Sequence, residues 1–213
     1  MPDSKTIVDV LSFILIVLTP AIVLHELAHG LSAYWLGDPT AKNQGRLTLN
    51  PIKHIDPVGS LLVPGVLFLA HYFGLTRSLM LFGWAKPVPV NFRNLRPQRL
   101  GMALVAIAGP LTNIALAFIF SKLYVWPALS AYSHISAWAV MLNLTLAVFN
   151  MVPIPPLDGS RVLSSLLPAQ LAYYYNRLEP FGIIIVILLL NFGLQGYLYP
   201  AIQQVGLWIG VQL

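Results

Sequence analysis

Six apolar stretches, each long enough to enter or cross a lipid bilayer, make up most of this sequence. They lie at about residues 7–33, 58–83, 101–125, 135–152, 181–194 and 196–212. A soluble domain could not bury so much apolar surface, because 57% of the 213 residues are hydrophobic and only 9% are charged. The sequence therefore predicts an all-α polytopic membrane protein with about six hydrophobic helical segments, in a single domain over residues 1–213.

Three polar stretches interrupt the apolar ones, at residues 37–57, 83–99 and 154–180. In the first, the alternating residues 46–50 predict a short strand or hairpin. In the second, two prolines within residues 84–91 allow only an edge strand or a polyproline segment. We therefore expect two short β elements outside the membrane helices.

The first apolar stretch contains the run His25-Glu26-Leu27-Ala28-His29. On an α-helix, positions i and i+4 share a face, so His25 and His29 can both point at one Zn²⁺. Glu26 lies one step around the helix and can reach a metal-bound water as a general base. This pattern is typical of a metal-dependent hydrolase, here within an apolar helix.

A catalytic zinc normally binds three protein ligands, so the two histidines require a partner. The chain has no cysteine, and a third histidine six positions after His29 is excluded because that residue is Trp35. The remaining candidates are Glu179 and the aspartates. We favour Asp158, which follows an apolar stretch and a proline-rich turn, where a carboxylate at membrane depth is stable only with a metal or a partner.

Three motifs occur in order along the chain: His25-Glu26-x-x-His29, Ala108-Gly109-Pro110-Leu111-Thr112-Asn113 and Asn150-Met151-Val152-Pro153-Ile154-Pro155-Pro156-Leu157-Asp158-Gly159. Together they resemble the site-2 protease family of intramembrane zinc metalloproteases, peptidase family M50, over residues 20–165. The resemblance implies one zinc per chain, bound by His25, His29 and Asp158, with Glu26 as the general base. It also implies a catalytic core at about 7–165, followed by a C-terminal helical hairpin at about 180–213. Because no PDZ or CBS region is visible, the chain resembles the compact bacterial branch.

Two asparagines and one histidine are further site candidates. Asn113 and Asn150 lie beside Gly-Pro or Pro-rich turns in motifs that the family shares, and either could donate to the substrate or the oxyanion. Alternatively, they satisfy backbone groups at helix ends. His54 could approach the zinc or steady an intermediate, although its Asn-Pro and Asp-Pro neighbours favour a role in ordering a turn.

The zinc ligands must meet at one face of the membrane, and this restricts the path of the chain. His29 ends the first span and Asp158 follows the fourth, so 101–125 and 135–152 should form one out-and-back pair. Residues 34–100 must then begin and end on the active-site side. We therefore expect 58–83 to form a re-entrant hairpin or two short spans.

The basic residues predict which face this is. Ten of the twelve lysines and arginines fall on the active-site side, whereas Lys5 and Lys122 fall opposite. The positive-inside rule therefore predicts a multi-pass protein of the cell inner (cytoplasmic) membrane with its active site near the cytoplasmic face. The net charge of +5 then requires no nucleic-acid partner. The two β elements would lie at the cytoplasmic mouth of the site, either as an edge for an extended substrate or as a cover.

The resemblance implies a metalloendopeptidase that hydrolyses peptide bonds in or next to the transmembrane segments of membrane-protein substrates. Its role would be regulated intramembrane proteolysis or the clearance of signal-peptide remnants, with those substrates and the lipid bilayer as its partners. One alternative is a non-catalytic pseudoprotease that acts as a membrane binding or chaperone-like protein. Another is a channel or transporter in which the histidines bind a passing ion, but ion passage gives no role to Glu26. The substrate, the trigger and the oligomeric state stay open.

Overall fold

The computed structural model describes residues 4–75 and 83–211, which are built almost entirely from helices. The α-helices of the described part are α1 (Ser4–Ser12), α2 (Thr19–Trp35), α3 (Thr40–Asn43), α4 (Val63–Tyr72), α5 (Gln98–Tyr124), α6 (Ser133–Asn150), α7 (Asp158–Leu166), α8 (Ala169–Asn176), α9 (Gly182–Asn191) and α10 (Leu194–Trp208). A helix satisfies its own backbone polar groups, which a bilayer cannot do. The predicted helical class is therefore confirmed.

Three helices of the described part are long and apolar enough to cross a membrane, namely Val8–Trp35, Gln98–Tyr124 and Ala169–Leu190. The first includes a π-type turn at Phe13–Leu18 that joins α1 to α2. The predicted number of about six segments is not confirmed. The last two predicted segments correspond to α9, which lies at the end of Ala169–Leu190, and to α10, which has 15 residues where a perpendicular crossing needs about 20.

Helix α5 is the centre of the fold, because it packs against α2, α6 and α7. Its buried positions include Ala106, Gly109 and Ala117. Residues this small let neighbouring helix backbones approach closely, which is the usual source of helix association where lipid is as apolar as the side chains. The sequence of α5 therefore allows three other helices to pack around it.

Large apolar side chains cover the outside of the molecule. Leu15 is 65% exposed and Phe192 is 83% exposed, whereas small clusters of apolar residues fill the interior. One cluster joins α5, α6 and α10 through Ala117, Leu144 and Ile202. Apolar side chains in such numbers on an outer surface suit contact with lipid rather than with water.

The two ends of the predicted re-entrant segment, at residues 57–60 and at Trp84, lie together. It enters a π-type turn at Pro57–Leu62, continues as α4 and ends in a turn at Gly74, where φ is +71°. The Trp84 N–H donates to the Gly59 carbonyl at 3.1 Å, and the Ser60 hydroxyl donates to the Trp84 carbonyl at 2.9 Å. Both ends therefore lie together, as a re-entrant hairpin requires, while residues 76–82 of the predicted segment lie outside the described residues.

The C-terminal part folds back on itself. Gly193, with φ at +106°, separates α9 from α10, a backbone conformation that glycine adopts without steric cost. Helix α10 contacts both α9 and α6. The C-terminal helical hairpin at about 180–213 stays a prediction.

The two predicted β elements have no counterpart among the described residues, in which no strand occurs. Residues 46–50 form bends that lead to Asn50, whose side chain caps the following 3₁₀ turn by accepting from the Ile52 N–H. Residues 84–91 are extended, but their N–H groups donate to separate partners in helices and loops rather than to a neighbouring strand. In residues 84–91, tertiary hydrogen bonds therefore take the place of a β ladder.

Asp38 joins the end of α2 to residues 91–94, which precede α5. Its fully buried carboxylate accepts hydrogen bonds from the Thr40 N–H and hydroxyl, the Asn94 amide and the Asn91 N–H, at 2.5–3.2 Å. Burial raises the pKa of this carboxyl, but the hydrogen bonds from Thr40, Asn94 and Asn91 outweigh it and lower the pKa below its ordinary value. The ionised carboxylate therefore stabilises this junction.

We expect Asp38→Asn to lower the free energy of unfolding by about 3 kcal/mol, because buried donors lose a charged acceptor. Since the folded-state pKa is lowered, the stabilisation is complete above the ordinary pKa of about 4 and is lost as the pH falls through the folded value. Thermal unfolding in detergent between pH 7 and pH 3 should show a weaker acid dependence in Asp38→Asn than in the wild type. The half-exposed Asp9, changed to Asn, is the control. Equal acid dependence in the wild type and Asp38→Asn would contradict the assignment.

Candidate metal centre

His25 and His29 lie one turn apart on α2, and both residues are buried, with 8% of their surface exposed. Their Nε2 atoms are 3.0 Å apart, and the two rings meet nearly edge to face. This is the geometry that i and i+4 histidines on one helix face can adopt. Both Nε2 atoms can therefore bind the same ion.

Asp158 begins α7 and brings a carboxylate to the two histidines. Its Oδ2 lies 3.2 Å from Nε2 of His25 and 3.3 Å from Nε2 of His29. The preceding turn packs tightly: a side chain at Gly159 would collide with the Met151 carbonyl. The glycine next to Asp158 therefore lets the turn close and hold the carboxylate at the cluster.

The hydrogen bonds of the two imidazoles fix where their protons lie. The Nδ1–H of His29 donates to the Val105 carbonyl at 2.7 Å, since a carbonyl can only accept. Asn113 points its Nδ2 at the Ala21 carbonyl, so its Oδ1 faces His25 and accepts from the Nδ1–H of that ring at 2.5 Å. Each ring therefore carries a proton on Nδ1, and its Nε2 atom faces the cluster, where it can bind a metal through its lone pair.

One face of α5 supports the cluster at intervals of four residues. Val105 and Asn113 provide the two hydrogen-bond acceptors, and Gly109 lies between them. A Cβ atom at Gly109 would stand 2.6 Å from Nε2 of His25 and would also collide with Nε2 of His29. Any larger residue would therefore occupy the space beside the ring nitrogens.

The donor set suits a zinc ion. Two imidazole nitrogens and one carboxylate oxygen are typical ligands of a catalytic zinc, which lies about 2.0–2.2 Å from each of them. Tetrahedral ligands at these distances are roughly 3.3–3.6 Å apart. The separations here are 3.0–3.3 Å, which is close to that range. Oδ2 of Asp158 is buried without a hydrogen-bond partner among the described residues. The three donor atoms face one another as ligands of one cation would, and no other described group of three His, Asp or Glu side chains could hold one.

Glu26 is held by a different segment. Its Oε2 accepts the Val88 N–H at 2.7 Å. Val88 also packs against α2 one turn further on, where a Cβ atom at Gly30 would lie 2.8 Å from Cγ1 of Val88. The carboxylate next to His25 in sequence is therefore fixed by the backbone of residues 84–91.

Asn113 is fully buried, and its polar atoms are all engaged. Besides accepting from His25, it donates to the Ala21 carbonyl at 3.2 Å and to the Asn143 side-chain oxygen at 2.8 Å. Asn143, which also donates to the Ala139 carbonyl, was missed by the sequence analysis. An amide inside the apolar run of α6 was a signal that could have found it, because polar groups at membrane depth need partners.

The two remaining candidates, Asn150 and His54, make hydrogen bonds with backbone carbonyls. Asn150 is the last residue of α6, and its amide donates to the Leu146 carbonyl at 3.0 Å. His54 is buried in a 3₁₀ turn and donates from Nε2 to the Thr48 carbonyl at 3.0 Å. His54 does not belong to the group of His and Asp side chains that could bind one ion.

Comparison with known proteins shows related sequences. The model described as Peptidase family M50 matches residues 126–192. A protein of Bacillus subtilis (strain 168), named "Putative zinc metalloprotease YwhC", is 39% identical over 207 residues, which are 92% of this chain and 88% of that protein. A protein of Mycolicibacterium smegmatis (strain ATCC 700084 / mc(2)155), named "Putative zinc metalloprotease Rip2", is 28% identical over 80% of this chain and 63% of its own length. No solved structure matches.

The similarity to the Bacillus protein extends over nearly the whole of both chains, and the family model covers residues that include Asp158 and the turn before it. The chain belongs to peptidase family M50, the site-2 protease family of intramembrane zinc metalloproteases.

Proposed function

We propose that this protein hydrolyses peptide bonds in or next to transmembrane segments of membrane proteins, at one zinc ion bound by His25, His29 and Asp158. The observation that carries the proposal is the meeting of two Nε2 lone pairs and one unpartnered carboxylate oxygen within 3.3 Å of one another. A bound zinc supplies a water of lowered pKa and polarises the scissile carbonyl.

Glu26 is the general base in this proposal. It accepts a proton from the attacking water and returns it to the leaving amine. Because Oε2 already accepts the Val88 N–H, we assign the proton transfer to Oε1. The hydrogen bond at Oε2 keeps the carboxylate from rotating away from the cluster.

The two asparagines receive different roles. Every polar atom of Asn113 is engaged, so we assign it the positioning of His25 rather than a contact with the oxyanion. Asn150 stays a candidate donor to the substrate. It is half-buried at the end of α6, eight residues before Asp158. His54 keeps its proposed accessory role, supported by the buried Nδ1 without a hydrogen-bond partner in the described residues.

The proposed setting is a multi-pass protein of the inner membrane, with the zinc near the cytoplasmic face. The loop after α2 and the segment before α5 meet at Asp38 and carry Lys42, Arg93 and Arg96. Basic residues at the end of a membrane helix favour the cytoplasmic side. The substrates would be single-span or membrane-anchored proteins, unwound locally before cleavage because helical carbonyls are engaged in hydrogen bonds.

Metal content tests the ligand set. We expect one zinc per purified wild-type chain and less than a tenth of that in His25→Ala and Asp158→Asn, because each variant loses one of three ligands. Elemental analysis against protein concentration measures this. Asp56→Asn, the same carboxylate-to-amide change at a turn outside the cluster, should keep the metal. Full zinc in Asp158→Asn would show that the third ligand is another residue.

Substitution of Glu26 tests the chemistry. Glu26→Gln should keep one zinc per chain but cleave single-span peptides about 10²- to 10⁴-fold more slowly, because a general base is lost while the ligands stay. Cleavage is followed in proteoliposomes by gel mobility and mass spectrometry. A metal-loaded wild type that cleaves no better than Glu26→Gln would favour the non-catalytic alternative.

Substitution of Asn113 tests how His25 is oriented. Asn113→Leu should weaken zinc binding about 10- to 100-fold, because the imidazole loses the acceptor that fixes its tautomer. Equilibrium competition with a chelator measures the affinity. Asn150→Leu, the same change at an amide outside the cluster, is the control. Equal zinc affinity in Asn113→Leu and the wild type would remove Asn113 from the metal centre.

A further inference from the structure

A single peptide unit connects a buried cation to the carboxylate of Glu26. Nη2 of Arg46 donates to the Pro87 carbonyl at 3.3 Å and to the Lys86 carbonyl at 2.9 Å. The N–H of the peptide unit that contains the Pro87 carbonyl belongs to Val88 and donates to Oε2 of Glu26 at 2.7 Å. The guanidinium and the carboxylate therefore bind opposite ends of the same amide group.

A peptide unit is planar, and in the trans form its C=O and N–H point in opposite directions. The bond between Pro87 and Val88 is not among the cis peptides of the described residues. Fixing the carbonyl end therefore fixes the direction of the N–H. A cation at one end and an anion at the other also strengthen both hydrogen bonds, because each polarises the amide for the other.

Neighbouring contacts hold this peptide unit against α2. A Cβ atom at Gly30 would be 2.6 Å from Leu47 and 2.8 Å from Val88, so both side chains lie directly on the helix that carries Glu26. On the other side, the Lys86 N–H donates to the His54 carbonyl at 2.9 Å. Residues 86–88 are therefore held on several sides. The Arg46 guanidinium joins them to the residues that follow α3.

The burial of Arg46 shows that it is not a surface charge. Its side chain is only 7% exposed, and Nε has no hydrogen-bond partner among the described residues. A buried guanidinium carries a desolvation cost, and two backbone carbonyls are neutral partners that offset only part of it. The negative charge that offsets the rest of this cost is the Glu26 carboxylate, which binds the other end of the peptide unit that Arg46 binds.

We propose that Arg46 is a positioning residue for peptide hydrolysis, which acts through the Pro87–Val88 peptide unit to orient Glu26. The inference rests on the proposed function, in which Glu26 is the general base. Arg46 touches neither the metal ligands nor the reacting atoms. Its loss should therefore lower the rate of the chemical step while zinc binding and substrate affinity stay unchanged.

The first test compares Arg46→Met with Arg46→Lys in the full-length protein. Methionine keeps the apolar stem but has no donor, whereas lysine can still donate to the two carbonyls. With a fluorogenic single-span peptide that the wild type cleaves, we expect kcat to fall about 30-fold in Arg46→Met and to stay within about threefold of the wild type in Arg46→Lys. KM should change less than about twofold, and both variants should keep one zinc per chain.

A double-substitution cycle separates positioning from a general structural effect. If Arg46 acts through Glu26, then Arg46→Met should cause no further loss of kcat in a Glu26→Gln background. If the two losses multiply instead, the proposal is wrong. A kcat for Arg46→Met equal to that of the wild type would also overturn it.

The backbone N–H provides a second, independent variant in case Arg46→Met does not fold. Val88→Pro removes the N–H that donates to Glu26. Val90→Pro is the control, because it introduces a proline into the same segment at a position whose N–H makes no hydrogen bond in the described residues. We expect a fall in kcat of tenfold or more only in Val88→Pro, and equal rates would contradict the proposal. Absence of zinc or of cleavage in the wild type would instead overturn the proposed function, so the two failures are distinguishable.

Discussion

Three lone-pair atoms that face one another, Nε2 of His25, Nε2 of His29 and Oδ2 of Asp158, are the constraint on which the rest of the structure depends. Such atoms repel when nothing lies between them, and burial removes the water that would otherwise relieve the repulsion. The surrounding helices must hold them together by packing and by hydrogen bonds to the opposite ring nitrogens. A cation bound by the three atoms would convert this unfavourable arrangement into a favourable one, and its affinity would then be linked to folding.

Helix α5 provides most of this support. Its face with Val105, Gly109 and Asn113 at intervals of four residues fixes both tautomers and leaves room beside the nitrogens. The Gly-Pro-x-x-Asn motif therefore has a physical reason: the glycine allows close approach and the asparagine orients an imidazole. Glu26 is held by a different segment, through the peptide N–H of Val88. The cluster of His25, His29 and Asp158 and the carboxylate of Glu26 thus have separate supports, which can be altered one at a time.

The helical class and the convergence of two histidines on Asp158 could be predicted, because both follow from local rules. Long apolar runs in a membrane become helices, histidines at i and i+4 share a face, and an aspartate after a membrane helix needs a partner. The β elements were predicted from alternation within residues 46–50 and 84–91, and the described structure has none. Alternation of residue types does not determine the backbone partners, and the N–H groups of residues 84–91 donate to helix and loop groups that lie far away in sequence.

The sequence by itself determined that the chain is a membrane protein with a metal-hydrolase motif, since composition and short spacings suffice for both. Only the tertiary structure decided what each polar side chain does. An asparagine could donate to an oxyanion, but the side chain of Asn113 is already engaged by His25, Ala21 and Asn143 and holds the His25 imidazole in place. Likewise, the connection from Arg46 to Glu26 joins residues that have no shared pattern. A hydrogen bond depends on which distant groups the fold brings within about 3 Å, and local sequence patterns carry no information about that distance.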